Sequence, residues 1–331
     1  YLLPGNFIDF SKSILYSLGF SSNFYFNFSG QVYGAENGLL KPFLHTWSLS
    51  VEEQFYIIFP VVLLITFKYF RKYLIYILVI GFITSLGLAD WGSKNHPSFN
   101  FYVLPTRGWE LLAGSILAYF KITRHYSGRY QILNLMLPSV GLTLIGHSVL
   151  FFNDKMFHPS FYTLSPIIGV CLIIYFSYKG ELVTKILSTK LFVGTGLISY
   201  SLYLWHYPIF AFGRIKNVDP SLQDKFEWTF LSLLLSIISY FLIEKTFRNK
   251  KIKFKLISSL LICLILIITV SLSYLINEKS KNVLKSGADG IAFSENQLIG
   301  KNKNKFIIFG DSHALHIMSF LKDIILSEEE N

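Results

Sequence analysis

Apolar residues gather along this chain into runs near the length needed to cross a bilayer, about 20 residues, with short polar clusters between them. The runs fall at 54–70, 73–89, 104–120, 131–152, 162–178, 194–213, 226–247 and 254–276. Each is predicted to form a membrane-crossing helix. An earlier segment, 8–26, is more polar and stands as a further candidate. Several runs are short and carry Gly, Pro or Ser, as spans buried among other helices do. Residues 277–305, rich in Lys, Asn, Ser and Gly, read as a linker. The pattern then changes. Phe306 to Phe309 is a short apolar strand, Gly310 turns the chain, and Ala314, Leu315, Met318, Leu321 and Ile325 recur at helical spacing. The expected architecture is an all-α polytopic membrane bundle followed by the start of an α/β domain.

Composition agrees with the spans. Of 331 residues, 52% are hydrophobic and only 15% charged, against about 25% in soluble domains. The mean hydropathy is +0.46. A net charge of +10 raises nucleic acid as a partner. The basic residues, however, sit in loops between spans and not on one stripe with interleaved aromatics, so no nucleic-acid partner is expected. Cys171 and Cys263 both lie inside apolar runs and read as small buried hydrophobes, not as a disulfide or a metal pair. No metal site is expected. The chain starts at Tyr1 without a signal peptide and ends in "SEEEN", which reads as a piece of a longer protein at both ends.

Basic residues also set an orientation. The loops "KYFRK" (68–72), "KITRHYSGRY" (121–130), "KGELVTKILSTK" (179–190) and "RNKKIKFK" (248–255) hold 14 Lys and Arg, and the alternate loops hold 6. The first set is predicted to be cytoplasmic. The run at 254–276 then delivers everything after it to the extracytoplasmic side. The six lysines in 277–305 run against the rule, but long exported segments cross largely regardless of charge.

This orientation collects three polar groupings at the outer face. A charge in hydrocarbon costs at least about 2.5–3.5 kcal/mol, so each needs a reason. In "HTWSLSVEEQFYIIFP" (45–60), Ser50 and Glu53 have the S-x-x-E spacing of a capping box, which leaves His45, Trp47, Ser48, Glu52 and Gln54 unexplained. His45, Ser48 and Glu52 share a face if the helix starts early. In "TRGWELLAGSILAY", Arg107 and Glu110 stand at i, i+3, the spacing of an ordinary helix ion pair. In "SYSLYLWHYPIF", His206 lies well inside an apolar run, and Pro208 opens the backbone ladder beside it. A histidine there either bonds a neighbouring helix or does chemistry.

The three motifs "HTWSLSVEEQFY", "RGWELLAGSILAY" and "ISYSLYLWHYPIF", in this order and spacing, resemble the membrane acyltransferase-3 family, the bacterial O-acetylases of peptidoglycan, O-antigen and other surface glycans. The resemblance covers about 1–247. The "FGDSH" element resembles the start of an SGNH-type hydrolase domain, which one branch of the family carries after an extra span. The expected domains are therefore 1–247, an acyltransferase-3 membrane domain; 248–276, a basic cytoplasmic loop and an additional span; 277–305, a linker; and 306–331, the truncated start of the SGNH-like unit. Relative to the family pattern the first two spans, with their Arg and His, are absent from this chain.

The resemblance implies a multi-pass protein of the bacterial cytoplasmic membrane with its C-terminal domain outside. It implies acetyl-CoA or a related acyl-CoA as donor, no bound cofactor, and a cell-envelope glycan (peptidoglycan, O-antigen or lipopolysaccharide sugar) as acceptor. Within that frame His45, Glu52 and His206 are the candidate catalytic residues of the membrane part, and Arg107, Glu110, Trp47 and Ser48 the candidate substrate-binding ones, lining a polar cavity in the outer half of the bundle. Ser312, at a strand-to-helix turn whose free N–H groups stabilise an anion, is the candidate nucleophile of the exported unit. Two rivals remain at this point. A permease also has many spans and buried charges, although it does not account for the strand-GDSH-helix pattern. A non-catalytic membrane scaffold predicts that neutralising Glu52 or Arg107 is silent.

Overall fold

The computed structural model of the protein describes residues 2, 4–30, 37–123, 131–153, 156–178, 180–217, 219–248 and 254–285. The described residues form helices and connecting turns. They run in the order α1 (Pro4–Leu18), α2 (Ser22–Ser29), α3 (Thr46–Tyr69), α4 (Leu74–Asn95), α5 (Pro97–Tyr102), α6 (Leu104–Thr123), α7 (Gln131–Phe151), α8 (Leu164–Phe176), α9 (Leu182–Leu187), α10 (Lys190–Lys216), α11 (Leu222–Ser239), α12 (Lys245–Phe247) and α13 (Phe254–Lys285). A π-helical turn, Tyr240–Glu244, joins α11 to α12. The expected α/β unit at 306–331 lies outside the described residues.

Among the described residues, five helical segments are long and apolar enough to cross a membrane: Thr46–Tyr69, Arg71–Asn95, Ile132–Phe151, Leu222–Phe247 and Leu261–Lys279. The chain is a multi-pass membrane protein. The 20-residue α6 and 27-residue α10 have the length of a span. Their polar content comes from Arg107, Glu110 and Lys121 in one, and from Lys190, His206, Arg214 and Lys216 in the other. Large apolar side chains point outward along the spans; Ile57, Ile80, Ile132 and Val149 are 61–77% exposed. That is the surface a bilayer covers.

Four sequence expectations change. The segment 8–26 is not one helix: Phe20 takes a left-handed conformation (φ 52°), a region that non-glycine residues rarely occupy, and the chain breaks into α1 and α2. The first strong span starts at Thr46, not 54. Ser50 and Glu53 form no capping box, because Ser50 sits a full turn inside α3. The Ser50 hydroxyl instead meets α2, lying 2.8 Å from Ser22 Oγ and accepting from the Ser22 backbone N–H. Lastly, α13 continues to Lys285, past the expected boundary at 276. Its extra residues include Glu, Lys and Leu, which favour helix.

The chain divides into two units, residues 16–253 and residues 1–15 with 254–331. The larger is built from antiparallel helix pairs. In α4–α6, Ser85 Oγ donates to the Pro105 carbonyl (2.6 Å) and accepts from Trp109 N–H (2.9 Å), which satisfies the backbone at the start of α6. Trp109, fully buried, packs with Leu86 and Ala89 to form a small core. In α10–α11, Trp205 Nε1 donates to Ser239 Oγ (2.7 Å), and Gly213 lies under the Trp228 ring, where a Cβ would collide. In α7–α8, Gly141 and Gly169 bring two backbones into direct contact. A Cβ on Gly141 would stand 2.5 Å from the Gly169 carbonyl, and one on Gly169 2.6 Å from that of Gly141. Small residues that let backbones approach are how helices associate where no hydrophobic drive exists between them.

The two glycines predict opposite outcomes within one helix. Gly141→Ala forces α7 from α8 and should lower stability by about 1–3 kcal/mol. Gly146→Ala, where a Cβ meets nothing within 4 Å, should be neutral or gain up to about 1 kcal/mol in helix propensity. Thermal unfolding of both variants in detergent checks this.

Candidate functional site

The polar motifs meet at one end of the bundle, where α3 and α6 begin and α10 approaches its end. What fixes the start of α3 is a chain of hydroxyls. Ser17 Oγ lies 2.7 Å from Thr46 Oγ1, Thr46 Oγ1 lies 3.0 Å from Ser22 Oγ, and Ser22 Oγ lies 2.8 Å from Ser50 Oγ. Thr46 Oγ1 also donates to the Phe43 carbonyl at 2.7 Å. Beside this chain, Gln54 Nε2 donates to Asn23 Oδ1 (2.9 Å), and Asn23 Nδ2 to the Tyr102 carbonyl (3.0 Å). These bonds pin α2, α3 and α5 together and set the positions of His45, Trp47 and Ser48.

His45 precedes the first residue of α3 and is 6% exposed. The Tyr207 ring stacks on it (centroids 5.3 Å, 22°), and Tyr203 and His206 meet it edge-on at 5.2 and 5.8 Å. Tyr203, His206 and Tyr207 stand at i, i+3 and i+4 and so share one face of α10. Tyr203 Oη donates to the His45 carbonyl at 2.6 Å and is bonded to Ser48 Oγ. Tyr207 Oη donates to the Gly38 carbonyl at 2.9 Å. Neither ring nitrogen of His45 has a hydrogen-bond partner. The Pro42 carbonyl acts on the ring and favours its protonated form, against the larger effect of burial. Burial, followed by the neighbouring His206, holds the His45 pKa down to about 4, so the ring is neutral at physiological pH. Nδ1 of His206 lies 3.1 Å from the Leu202 carbonyl.

A second polar group adjoins the first through Trp47. The Arg107 guanidinium lies over the rings of Trp47 (5.2 Å) and Phe101 (4.8 Å). Its Nη1 bonds Glu110 Oε1 at 3.0 Å, and its Nε donates to the Phe101 carbonyl at 3.2 Å. The i, i+3 ion pair expected from sequence therefore forms, with Arg107 and Glu110 side chains 14% and 28% exposed. His158, in the loop after α7, faces this group. Burial, and then the Arg107 charge, push its pKa below the usual histidine value.

The structure thus brings His45, Ser48 and His206 together, and separately Trp47, Arg107 and Glu110. Trp47 and Ser48, adjacent in sequence, join the two groups. Glu52 lies one turn beyond Ser48 on α3. Together with Glu53 and Glu244 it is close enough to act electrostatically on Tyr200 of α10. His206 and Tyr203 also line a groove of about 500 Å³ between α10 and α11; Arg107 and Glu52 do not line it. Ser312 lies outside the described residues. The sequence reading missed Tyr203, Tyr207, Phe101 and His158. The i, i+3, i+4 spacing of Tyr203 and Tyr207 around His206 was the available signal, hidden by the abundance of aromatics in the surrounding run.

Imidazoles, phenol oxygens and a guanidinium at one end of a membrane bundle suit proton transfer at a hydroxyl. The comparisons with known proteins agree in class. Residues 12–244 match the acyltransferase-3 family model, described as an acyltransferase domain. Over 270 residues, 76% of this chain, the sequence is 32% identical to the Staphylococcus aureus (strain COL) protein named "Putative O-acetyltransferase SACOL0978", covering 44% of that protein. It is 27% identical over 245 residues, 70% of this chain, to the peptidoglycan O-acetyltransferase OatA of Listeria monocytogenes, covering 39% of it. It is 30% identical over 227 residues, 65% of this chain, to the O-acetyltransferase OatA of S. aureus (strain NCTC 8325), covering 37% of it. The chain spans less than half the length of these curated relatives. No solved structure matches it. A family match that takes in every polar motif at the bundle's end leaves one assignment: this chain belongs to the acyltransferase-3 family.

Proposed function

We propose that the chain is the membrane portion of an O-acetyltransferase that moves an acetyl group from an acyl-CoA to a hydroxyl of a cell-envelope glycan. The observation that carries this reading is that the family match, 12–244, encloses both polar groups. The relatives' names supply the reaction, and the geometry supplies candidate residues for it. A permease would have no need of an acyltransferase fold.

In the proposed membrane step an acceptor hydroxyl oxygen attacks the acyl carbonyl carbon. His45 or His206 takes the hydroxyl proton, the C–S bond breaks, and the proton passes to the departing thiolate, giving the acceptor's ester and free CoA thiol. In the proposed exported step that acyl group passes to Ser312 Oγ and from there to the glycan hydroxyl, the proton of each attacking hydroxyl going to the oxygen that the acyl group leaves. General-base help of this kind contributes about 10²–10⁴-fold. Glu52, one turn past Ser48, acts electrostatically on Tyr203, which adjoins both histidines. Trp47 holds Arg107 by its ring face, which leaves part of the guanidinium edge for an anionic group of the donor or the developing oxyanion. The proposed orientation is that of the sequence analysis: basic loops on the cytoplasmic side of the bacterial inner membrane, and this polar end and the C-terminus outside. Ser312 of "FGDSH" is the proposed acyl-accepting nucleophile of an exported SGNH-like unit.

Glycan acetylation by the full-length protein, measured as ester-linked acetate released from purified cell envelope, tests the reading. His45→Ala and His206→Ala should each lower it about 10²-fold or more. Wild-type levels in both Glu52→Gln and Arg107→Ala, with insertion intact, would remove Glu52 and the Arg107 group from the reaction. Ser312→Ala should abolish transfer to glycan; acetylation that survives it assigns the acceptor step to the membrane part alone.

A further inference from the structure

The groove of about 500 Å³ between α10 and α11 adjoins the proposed reaction site, because His206 and Tyr203 belong to both. Along α10 it reaches from Ser199 to Phe210, about 16 Å of helix axis. His206 stands seven residues past Ser199, so about 10 Å of groove runs from the imidazole back toward Ser199. An acetyl group would leave most of that length unfilled.

What the walls offer decides what fits there. Each aliphatic hydroxyl lining the groove gives its proton to a carbonyl of its own helix: Ser199 Oγ to Gly196 (2.8 Å), Thr229 Oγ1 to Lys225 (2.8 Å) and Ser232 Oγ to Trp228 (2.7 Å). Tyr203 Oη gives its own to the His45 carbonyl. These hydroxyls therefore keep no proton for a sugar oxygen. Leu202, Phe210 and Leu233 supply the rest of the wall. Among the described residues no Lys, Arg, Asp or Glu lines it, so a phosphate or carboxylate finds no partner either. An apolar chain needs none, and gains by leaving water.

We propose that this groove seats the acyl chain of the donor, with the acyl carbonyl beside His206 and the chain running toward Ser199. Extended single bonds advance about 1.2 Å each, so 10 Å takes a straight chain of up to about eight carbons. The inference rests on the acyltransferase reading and names the donor class: medium-chain acyl groups as well as acetyl. The bond changes are those of the membrane step. The acceptor oxygen–carbon bond forms, the C–S bond breaks, and the proton passes to the thiolate; only the chain on the carbonyl carbon differs. A lipid tail has the same apolar chemistry. It has no reason to begin at a histidine of the reaction site, whereas the donor's chain does.

The test uses the full-length protein in lipid nanodiscs, with purified cell envelope as acceptor, acetyl-CoA and hexanoyl-CoA as donors, and release of free CoA thiol as the readout. Each methylene withdrawn from water is worth about fourfold in affinity, so the hexanoyl-CoA KM should lie at least tenfold below the acetyl-CoA KM. Leu233→Trp, which fills the groove from α11, should raise the hexanoyl-CoA KM at least tenfold and leave kcat and KM for acetyl-CoA unchanged. Partition of the longer donor into the bilayer affects wild type and variant alike, so the ratio between them reports the groove. A hexanoyl-CoA KM at or above the acetyl-CoA value overturns the seat while the acyltransferase reading stands. So does hexanoyl use that Leu233→Trp leaves unchanged, which gives the groove to a lipid tail. Equal losses with both donors overturn it as well. Thiol release from neither donor by the wild type removes the acyltransferase reading, and the seat with it. If Leu233→Trp does not insert, Thr229→Phe, one turn earlier on α11, carries the comparison.

Discussion

The described site depends on one constraint: polar groups within the bundle must find partners there, because hydrocarbon offers none. The hydroxyl chain Ser17–Thr46–Ser22–Ser50 is the clearest result. None of these side chains carries charge, and each bond is worth only about 0.5–1.5 kcal/mol net. Their arrangement nonetheless decides where α3 begins. It leaves His45 just outside the first turn, Trp47 facing α5 and Ser48 facing α10. Had α3 started at the apolar run near 54, none of the three would stand on a defined helical face, and neither polar group could assemble.

From that start, antiparallel pairing does the rest. Chains that cross and return bring the beginning of α6 and the later part of α10 to the same end as the beginning of α3. Close backbone contacts hold the pairs in register: Gly141 on Gly169, Gly213 under Trp228, and Ser85 between Pro105 and Trp109. Side chains separated by 155 residues, Ser48 and Tyr203, then meet at bonding distance. A site built on helix faces in this way is positioned by the fold itself, as precise chemistry requires.

Much of this was legible in sequence. Five of the eight runs gave helices long and apolar enough to cross a membrane, while the run at 162–178 gave only the 13-residue α8; the Arg107–Glu110 spacing gave the ion pair, and His45 and His206 stood out because ionisable groups are scarce in apolar runs. The failures that touch the site were of one kind. S-x-x-E at Ser50 and Glu53 is a local rule, and it lost to Ser22, a tertiary partner 28 residues earlier. The break at Phe20 has no Gly or Pro at the residue that takes the unusual conformation; the chain turns there because α2 must lie along α3. Tyr203 and Tyr207 carried only their spacing around His206 as a sign, and an aromatic in a membrane run is ordinary until its hydroxyl is seen on a distant carbonyl. Periodicity reports which faces are apolar, but it does not report which polar atom meets which.

His45 is where stability and chemistry pull apart. A histidine kept only for structure would turn a ring nitrogen to one of the carbonyls or hydroxyls around it, as His206 does toward Leu202. In His45 the carbonyl is bonded and the Tyr207 ring stacks on the imidazole, while neither nitrogen has a well-formed hydrogen bond. Burial alone could be met by a phenylalanine of similar shape, at no desolvation cost. Retaining an imidazole there makes physical sense only if its nitrogens have work that the protein's own atoms leave undone. Positions where local satisfaction is given up in an otherwise satisfied network are where function is expected. Through Trp47, the adjacent Arg107 extends the same reasoning: its charge is held by ring faces and a single carboxylate oxygen, and is only partly used.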